Sequence, residues 1–215
     1  EMIYGDKLAL ISPAQGFLKD SLYLACSSAP IIDAAIPPNV KRLLQFDKRE
    51  VTTEQVMIQL NEAISTKFEV CGMEDVRKVC NACYSFLQDV LPSDADQIAK
   101  FLKGKKFILV GNGFEYGNRV SSSLPVDCSP YLYRIPEEWV KYSKLMKEGG
   151  MREQFEVEDF ISTLQQIKKD FGVRKLDSGT LIVVCNLAAQ LKKVLESNGN
   201  RFTPEQMRSS IYLPN

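Results

Sequence analysis

Residues 51–60, VTTEQVMIQL, lie over residues 155–164, FEVEDFISTL, so that Val51 meets Phe155, Glu54 meets Glu158, Val56 meets Phe160 and Leu60 meets Leu164, a separation of 104 residues. The segments that follow continue the match with one extra residue. DVRKVCNACYSFLQDVL (75–91) lies over TLIVVCNLAAQLKKVLE (180–196), which puts Cys80 on Cys185 and Asn81 on Asn186. Upstream, SAPIIDAAIPPNV (28–40) and CSPYLYRIPEEWV (128–140) share a proline frame, Pro30 with Pro130 and Pro37 near Pro136, and KLALISPAQGF and KKFILVGNGF each end an apolar run in Gly-Phe. A repeat of this length constrains the fold strongly, because each copy must build the same small set of elements.

The repeated unit reads as a strand with a tight turn, a proline-bounded loop, a short helix, a capped helix and a long helix. Thr52 followed by Gln55 is a capping box, in which each side chain satisfies an open backbone N–H of the first turn. Behind it, Val56, Leu60, Ile64 and Phe68 form one apolar face, and the second copy offers Phe160, Leu164, Ile167 and Phe171 at similar steps, with Glu156 at the capping position. The long helix is expected to begin near Gly72, Glu74 and Asp75 and to carry Val76, Val79, Cys80, Cys83, Phe86, Leu87 and Val90 on one stripe. Farther on, Thr203, Pro204 and Gln206 mark another helix start. The expected fold is α+β, a mainly helical tandem repeat with short β-hairpins. Its two similar units are 1–103 and 104–200, and 201–215 leads into a next module.

Composition narrows the function. Twenty-seven basic residues balance twenty-seven acidic ones, so no overall field draws the chain to nucleic acid or an anionic membrane. No apolar run approaches the ~20 residues of a bilayer span, and EMIYGDKLAL has neither the basic start nor the apolar stretch of a signal peptide. Starting at Glu1, the chain is expected to be a piece of something longer. Its six cysteines, at 26, 71, 80, 83, 128 and 185, are scattered through sequence that supports a core without staples, which fits a reduced, cytoplasmic setting. Histidine is absent, which removes Ser-His and Cys-His nucleophile pairs and every imidazole zinc site.

Four groups could carry chemistry. Cys80 and Cys83 have Cys-x-x-Cys spacing, but a reactive thiol wants a helix N-terminus and this pair falls in the second turn of an apolar stripe, so core packing is expected. VGNGFEYGNR (110–119) is glycine-rich, yet VSSSLPVDCSP follows it where a phosphate cradle needs a helix. A hairpin turn at Gly111 to Gly113 accounts for the same residues. Glu137, Glu138, Glu156, Glu158 and Asp159 stand where helices should begin and suit the positive end of the dipole. Trp139 with Tyr131, Tyr133 and Tyr142 forms an aromatic group whose counterparts Ile31, Ile36 and Val40 point to a core.

The stretch FILVGNGFEYGNRV, followed by PYLYRIPEEWVKYSKLMKEGGMREQFEVEDFI, resembles the recurring segments of the sacsin family of giant, chaperone-related animal proteins. LALISPAQGFLKDS near the start and SSIYLPN at the end resemble the family's strand openings. Glu156 departs from the threonine that the family often has at that cap. The family's repeats begin with an ATPase-like module whose nucleotide-binding signature has no matching positions here, so the resemblance implies the non-ATPase part of a repeat. It implies a structural spacer and scaffold with a possible client-interaction surface, in a co-chaperone linked to protein folding and cytoskeletal filament proteostasis. The implied partners are adjacent ATPase-like modules of the same chain, the heat-shock-protein-seventy machinery, and client or intermediate-filament proteins, with no nucleic acid and no membrane. No enzyme activity, cofactor, metal or catalytic residue is expected. The alternative is a small-ligand or nucleotide-binding enzyme domain built on the 110–119 loop.

Overall fold

The computed structural model describes residues 16–18, 21–32, 36–44, 50–65, 72–172 and 174–197. Phe68, Cys71, most of the 7–17 run, the helix start at Thr203 and the SSIYLPN segment lie outside them. The protein is a mainly helical α+β chain with short strands. It groups into two compact units, one joining the residues up to Gly117 with Pro136–Gly150, the other joining Asn118–Ile135 with the residues from Met151 onward. The chain therefore passes between units at 117/118, 135/136 and 150/151, whereas the sequence repeat divides at 103/104.

In the first unit, β1 (Phe17–Leu18) pairs in parallel with β2 (Ile31–Ile32) across a short helix, α1 (Leu22–Ala25). Helix α2 (Pro38–Leu43) starts behind Pro37, and α3 (Thr53–Ser65) behind the expected capping box. Thr52 N–H donates to Gln55 Oε1 at 3.0 Å and Gln55 N–H donates to Thr52 Oγ1 at 3.3 Å. The next helix, α4 (Met73–Leu102), packs along α3 and buries Val76, Val79, Cys80, Cys83, Tyr84 and Leu87. Each aliphatic side chain so buried contributes about 1.5–3 kcal/mol. Phe86 and Val90, expected on this stripe, are only half-buried, and Tyr84 takes the place given to Phe86. Pro92 lies inside α4, where it supplies no N–H and its ring crowds the carbonyl four residues back. Helical geometry breaks two residues later at Asp94 (φ −120°, ψ 22°). The Asp94 carboxylate accepts from the Thr53 hydroxyl, tying the bend to the start of α3.

After α4 come β3 (Lys106–Val110) and β4 (Gly113–Tyr116), an antiparallel pair closed by Gly111 and Asn112, with Val110 opposite Gly113. Gly111 has φ 58°, which a two-residue hairpin turn requires and a side chain resists. This is the expected hairpin. Among the described residues the other strand pairs are parallel, two residues long, and not hairpins. The unit is completed by a 3-10 helix (Glu137–Tyr142) behind Pro136 and by α5 (Ser143–Glu148).

In the second unit, β5 (Val120–Ser121) pairs in parallel with β6 (Tyr133–Arg134), and Arg152 bridges Ser121. Helix α6 (Val157–Phe171) is capped by Glu156 and Asp159 in a reciprocal box, so glutamate serves where the family often has threonine. Glu156 N–H donates to Asp159 Oδ2 at 2.9 Å. Helix α7 (Ser178–Ser197) packs on α6, and Phe160, Leu164, Ile167, Val184, Leu187 and Leu191 form the middle of their core with Leu124, Cys128 and Leu132.

The burial pattern corrects the sequence register. Helix α3 buries positions 53, 56, 57, 59, 60 and 63, and α6 buries 157, 160, 163, 164 and 167; all but Met57, whose counterpart Ile161 is half-buried, match at the 104 residues that separate Val51 from Phe155. The same separation relates Val79, Cys80, Cys83 and Leu87 of α4 to Val183, Val184, Leu187 and Leu191 of α7. The extra residue inferred from Cys80 and Cys185 is therefore not present in the packing. A one-residue slip turns a helix by about 100°, and Cys185 is exposed whereas Cys80 is buried.

By length and composition α7 could cross a membrane, its most apolar window having a mean hydropathy of 1.2, against the expectation that no run came near. One face of it is nevertheless spent on α6, and Lys192, Lys193 and Glu196 lie in its last turns.

Candidate interaction site

Cys80 and Cys83 are buried in the contact of α4 with its neighbours, not at a helix start. Burial pushes the Cys80 thiol up to about 12 and Cys83 well above its ordinary value, the opposite of what a nucleophile or metal ligand needs. The Cys83 thiol instead faces the Tyr23 carbonyl at 3.7 Å. Among the described residues no three His, Cys, Asp or Glu side chains converge to hold a metal ion.

The 110–119 loop is the β3–β4 hairpin followed by a three-residue 3-10 turn, Gly117–Arg119, that runs directly into β5. The glycines thus precede a turn and a strand, and the loop lacks the helix N-terminus on which a phosphate cradle depends.

The aromatic residues behave differently from the expected single group. Pro136 separates them. Tyr131 packs at the margin of the second unit's core, and the Tyr133 hydroxyl donates to the Pro130 carbonyl at 3.0 Å. Trp139 and Tyr142 belong to the first unit, where they meet Tyr84, a residue outside the stripe expected from periodicity. Tyr84 and Trp139 lie edge to face with centroids 5.3 Å apart, and Tyr84 and Tyr142 at 5.9 Å. Such pairs add about 0.5–1.5 kcal/mol beyond the area they bury.

Each polar handle in this group is used. The Trp139 indole N–H donates to the Leu109 carbonyl at 2.9 Å. The Tyr84 hydroxyl donates to the Phe107 carbonyl and accepts from the Leu109 N–H at 3.3 Å. Burial and the Cys80 thiol beside it hold the Tyr84 phenol far above its ordinary range. The Tyr142 hydroxyl donates to Asn81 Oδ1 at 2.8 Å.

Around this aromatic seat the 3-10 helix is gripped by one stripe of α4. Arg77 pairs with Glu138 at 3.0 Å and Gln88 Nε2 donates to the Lys141 carbonyl at 2.9 Å. A cleft of about 530 Å³ opens between them, lined by Glu74, Arg77, Lys78, Asn81, Glu138 and Lys141 among others. Of the acidic residues singled out from the sequence, Glu137 and Glu138 line this cleft. Glu156 and Asp159 cap α6, and Asp159 also pairs with Arg152 at 3.3 Å. The cleft is open and mixed in charge, with no nucleophile or buried carboxylate aimed into it. Sequence alone missed it because its walls come from residues about sixty apart.

Among known proteins the chain is similar to human sacsin, 29% identical over 143 residues, which make up 64% of this chain and 3% of that protein. The chain carries a sacsin-related region. It spans a very small part of sacsin's length. The motifs that suggested sacsin occupy defined places, PYLY leading into β6 and FEVEDF forming the cap and first turn of α6. No family model matches the chain, and no solved structure matches it.

Proposed function

We propose that this region is a spacer and interaction module of a sacsin-like co-chaperone, built from two copies of one helical unit and set between ATPase-like modules of the same polypeptide. The observation that carries this is the coincidence of the α3 and α6 burial patterns at one separation, together with sacsin similarity over 64% of the chain. Duplicated units of this kind stack through nearest-neighbour contacts and expose long surfaces for partners. The module works in the cytoplasm, without catalysis or a cofactor, and its partners are the heat-shock-protein-seventy machinery, folding clients and intermediate-filament proteins.

Two readouts test it. Capture from cell lysate should retain filament proteins or heat-shock-protein-seventy components above a helical control of equal size. Millimolar ATP should leave the melting temperature unchanged, since a ligand that binds only the folded state raises it. A rise of several degrees without capture would favour the ligand-binding reading of 110–119 and overturn this one.

A further inference from the structure

The stripe of α4 that grips the 3-10 helix consists of Arg77, Asn81, Tyr84 and Gln88, at steps of four, three and four that fall on one face. Each of the four meets a residue of 137–142: Arg77 meets Glu138, Asn81 meets Tyr142, Tyr84 meets Trp139, and Gln88 meets the Lys141 carbonyl. At the 104-residue separation fixed by burial, the same stripe on α7 is Leu181, Cys185, Ala188 and Lys192. Leu181 is 42% exposed, its neighbour Ile182 is 61% exposed and Cys185 is exposed. This seat has no occupant among the described residues.

An occupant of the right kind exists elsewhere in the chain, and among the described residues it has no seat. Aligned on Pro37 and Pro136, α2 is the counterpart of the 3-10 helix: both run six residues, behind prolines of nearly equal geometry (φ −57°, ψ 146° and φ −56°, ψ 141°). Trp139 and Tyr142, third and sixth in the 3-10 helix, are buried. Val40 and Leu43, third and sixth in α2, are not, and Leu43 is 79% exposed.

The unused donor and the unused seat match pair by pair. Where Arg77 meets Glu138, the counterparts are Leu181 and Asn39, so both charges are gone together. Where Asn81 meets Tyr142 through a hydrogen bond, the counterparts are Cys185 and Leu43, both apolar. Where Tyr84 meets Trp139, the counterparts are Ala188 and Val40, both small. Where Gln88 donates to a carbonyl, Lys192 is again a donor.

We propose that α2 of one copy of this chain docks on the Leu181–Cys185 face of α7 of a second copy, head to tail. The two patches differ, so a single contact leaves one donor and one seat open, and head-to-tail repetition extends the contact into rows. The buried area is that of one short helix, so association in trans is weak, and within a longer tandem it is favoured by tethering. The inference rests on the duplicated-scaffold reading above and says which faces join its units.

The test is covalent trapping in the whole 215-residue chain. Leu43→Cys places a thiol opposite the native Cys185. At about 1 mM protein, the effective concentration of a short tether, mild oxidation should yield a ladder of disulfide-linked dimers and higher species. Peptide mapping should assign the linkage to positions 43 and 185, and Cys185→Ser in the same background should abolish it. Alkylation of wild-type Cys185 should also slow several-fold between dilute and millimolar chain. Leu43 is on the surface, so the variant folds, and unchanged Trp139 fluorescence confirms it. A ladder that persists without Cys185, or the absence of a ladder together with concentration-independent alkylation, would overturn the proposal. Either outcome leaves the lysate-capture and ATP results as they stand, so failure of the docking contact is distinguishable from failure of the scaffold reading.

Discussion

Trp139, the only tryptophan, donates its indole N–H to the Leu109 carbonyl at 2.9 Å and lies edge to face against Tyr84. The bond joins the 3-10 helix to β3, and the ring contact joins it to α4, so one residue reads out the closure of the first unit. Trp139→Phe keeps most of the apolar area and leaves the carbonyl without that donor, which should cost about 1–3 kcal/mol. Urea unfolding followed by far-ultraviolet circular dichroism measures it, and a loss below a few tenths of a kcal/mol would show that the indole bond contributes nothing.

Gly149, just past α5, is set by close approach rather than by backbone freedom. A Cβ built there would lie 2.1 Å from Cζ of Phe107, a fully buried ring. Gly149→Ala must displace that ring and should destabilise the protein by about 1–3 kcal/mol. Phe107→Leu in the same background should recover part of the loss, because it removes the clashing atoms.

The buried thiols predict both reactivity and pH dependence. At pH 8 native Cys80 and Cys83 should resist alkylation, whereas exposed Cys185 reacts. Cys80 is raised from 9.0 to about 12 by burial, so it stays protonated in the folded state while the unfolded chain ionises. Its contribution is therefore complete below about pH 9 and is lost as pH rises toward 12. Unfolding measured between pH 8 and 11 should show a smaller alkaline decline in Cys80→Ala than in the parent.

Cys83→Ala is a sharper test of register. With Cys83 matched to Leu187, the site is fully buried and the removed sulfur leaves a void costing about 1 kcal/mol. A match to Ala188 would have made the substitution nearly neutral, and equilibrium unfolding separates the two.

Acid sensitivity should include a contribution from the start of α7. Asp177 accepts the Thr180 N–H at 2.9 Å and the Thr180 hydroxyl at 2.7 Å, and these bonds hold its carboxyl below the ordinary 3.8. A lowered carboxyl stabilises the fold above the unfolded value and ceases to do so as pH falls through the folded one. Stability measured from pH 6 to pH 2 should therefore decline below about pH 4. Asp177→Asn, which keeps an acceptor and does not titrate, should reduce that slope. An unchanged slope would assign the acid loss to other carboxylates.

Local chemistry was readable in advance where the partners are neighbours in sequence. The Thr52–Gln55 box and the faces through Val56 and Leu60, or Phe160, Leu164 and Ile167, needed only residues within two turns. Register is ambiguous where identity competes with phase: the Cys-Asn dipeptide at 80–81 and 185–186 implies an extra residue that the buried faces do not contain. Tyr84 is not legible in the pattern because nearby Phe86 fits the same three-to-four spacing, and the choice between them is made by Trp139, which arrives from fifty-five residues away. Pro136 likewise sends Tyr133 and Trp139 into different units although six residues separate them, a redirection that proline permits and composition does not announce.

The threefold passage of the chain between units has a consequence for synthesis. Helix α4 is complete at Leu102, but Trp139 and Tyr142, which cover Tyr84, follow only after 118–135, a stretch that belongs to the other unit. On the ribosome, where domains generally form from the N-terminal side first, the first unit cannot close until translation has passed residue 150. By then only 118–135 of the second unit has been made, so the nascent chain carries an open aromatic seat through that whole interval, and the first unit is complete before α6 and α7 exist.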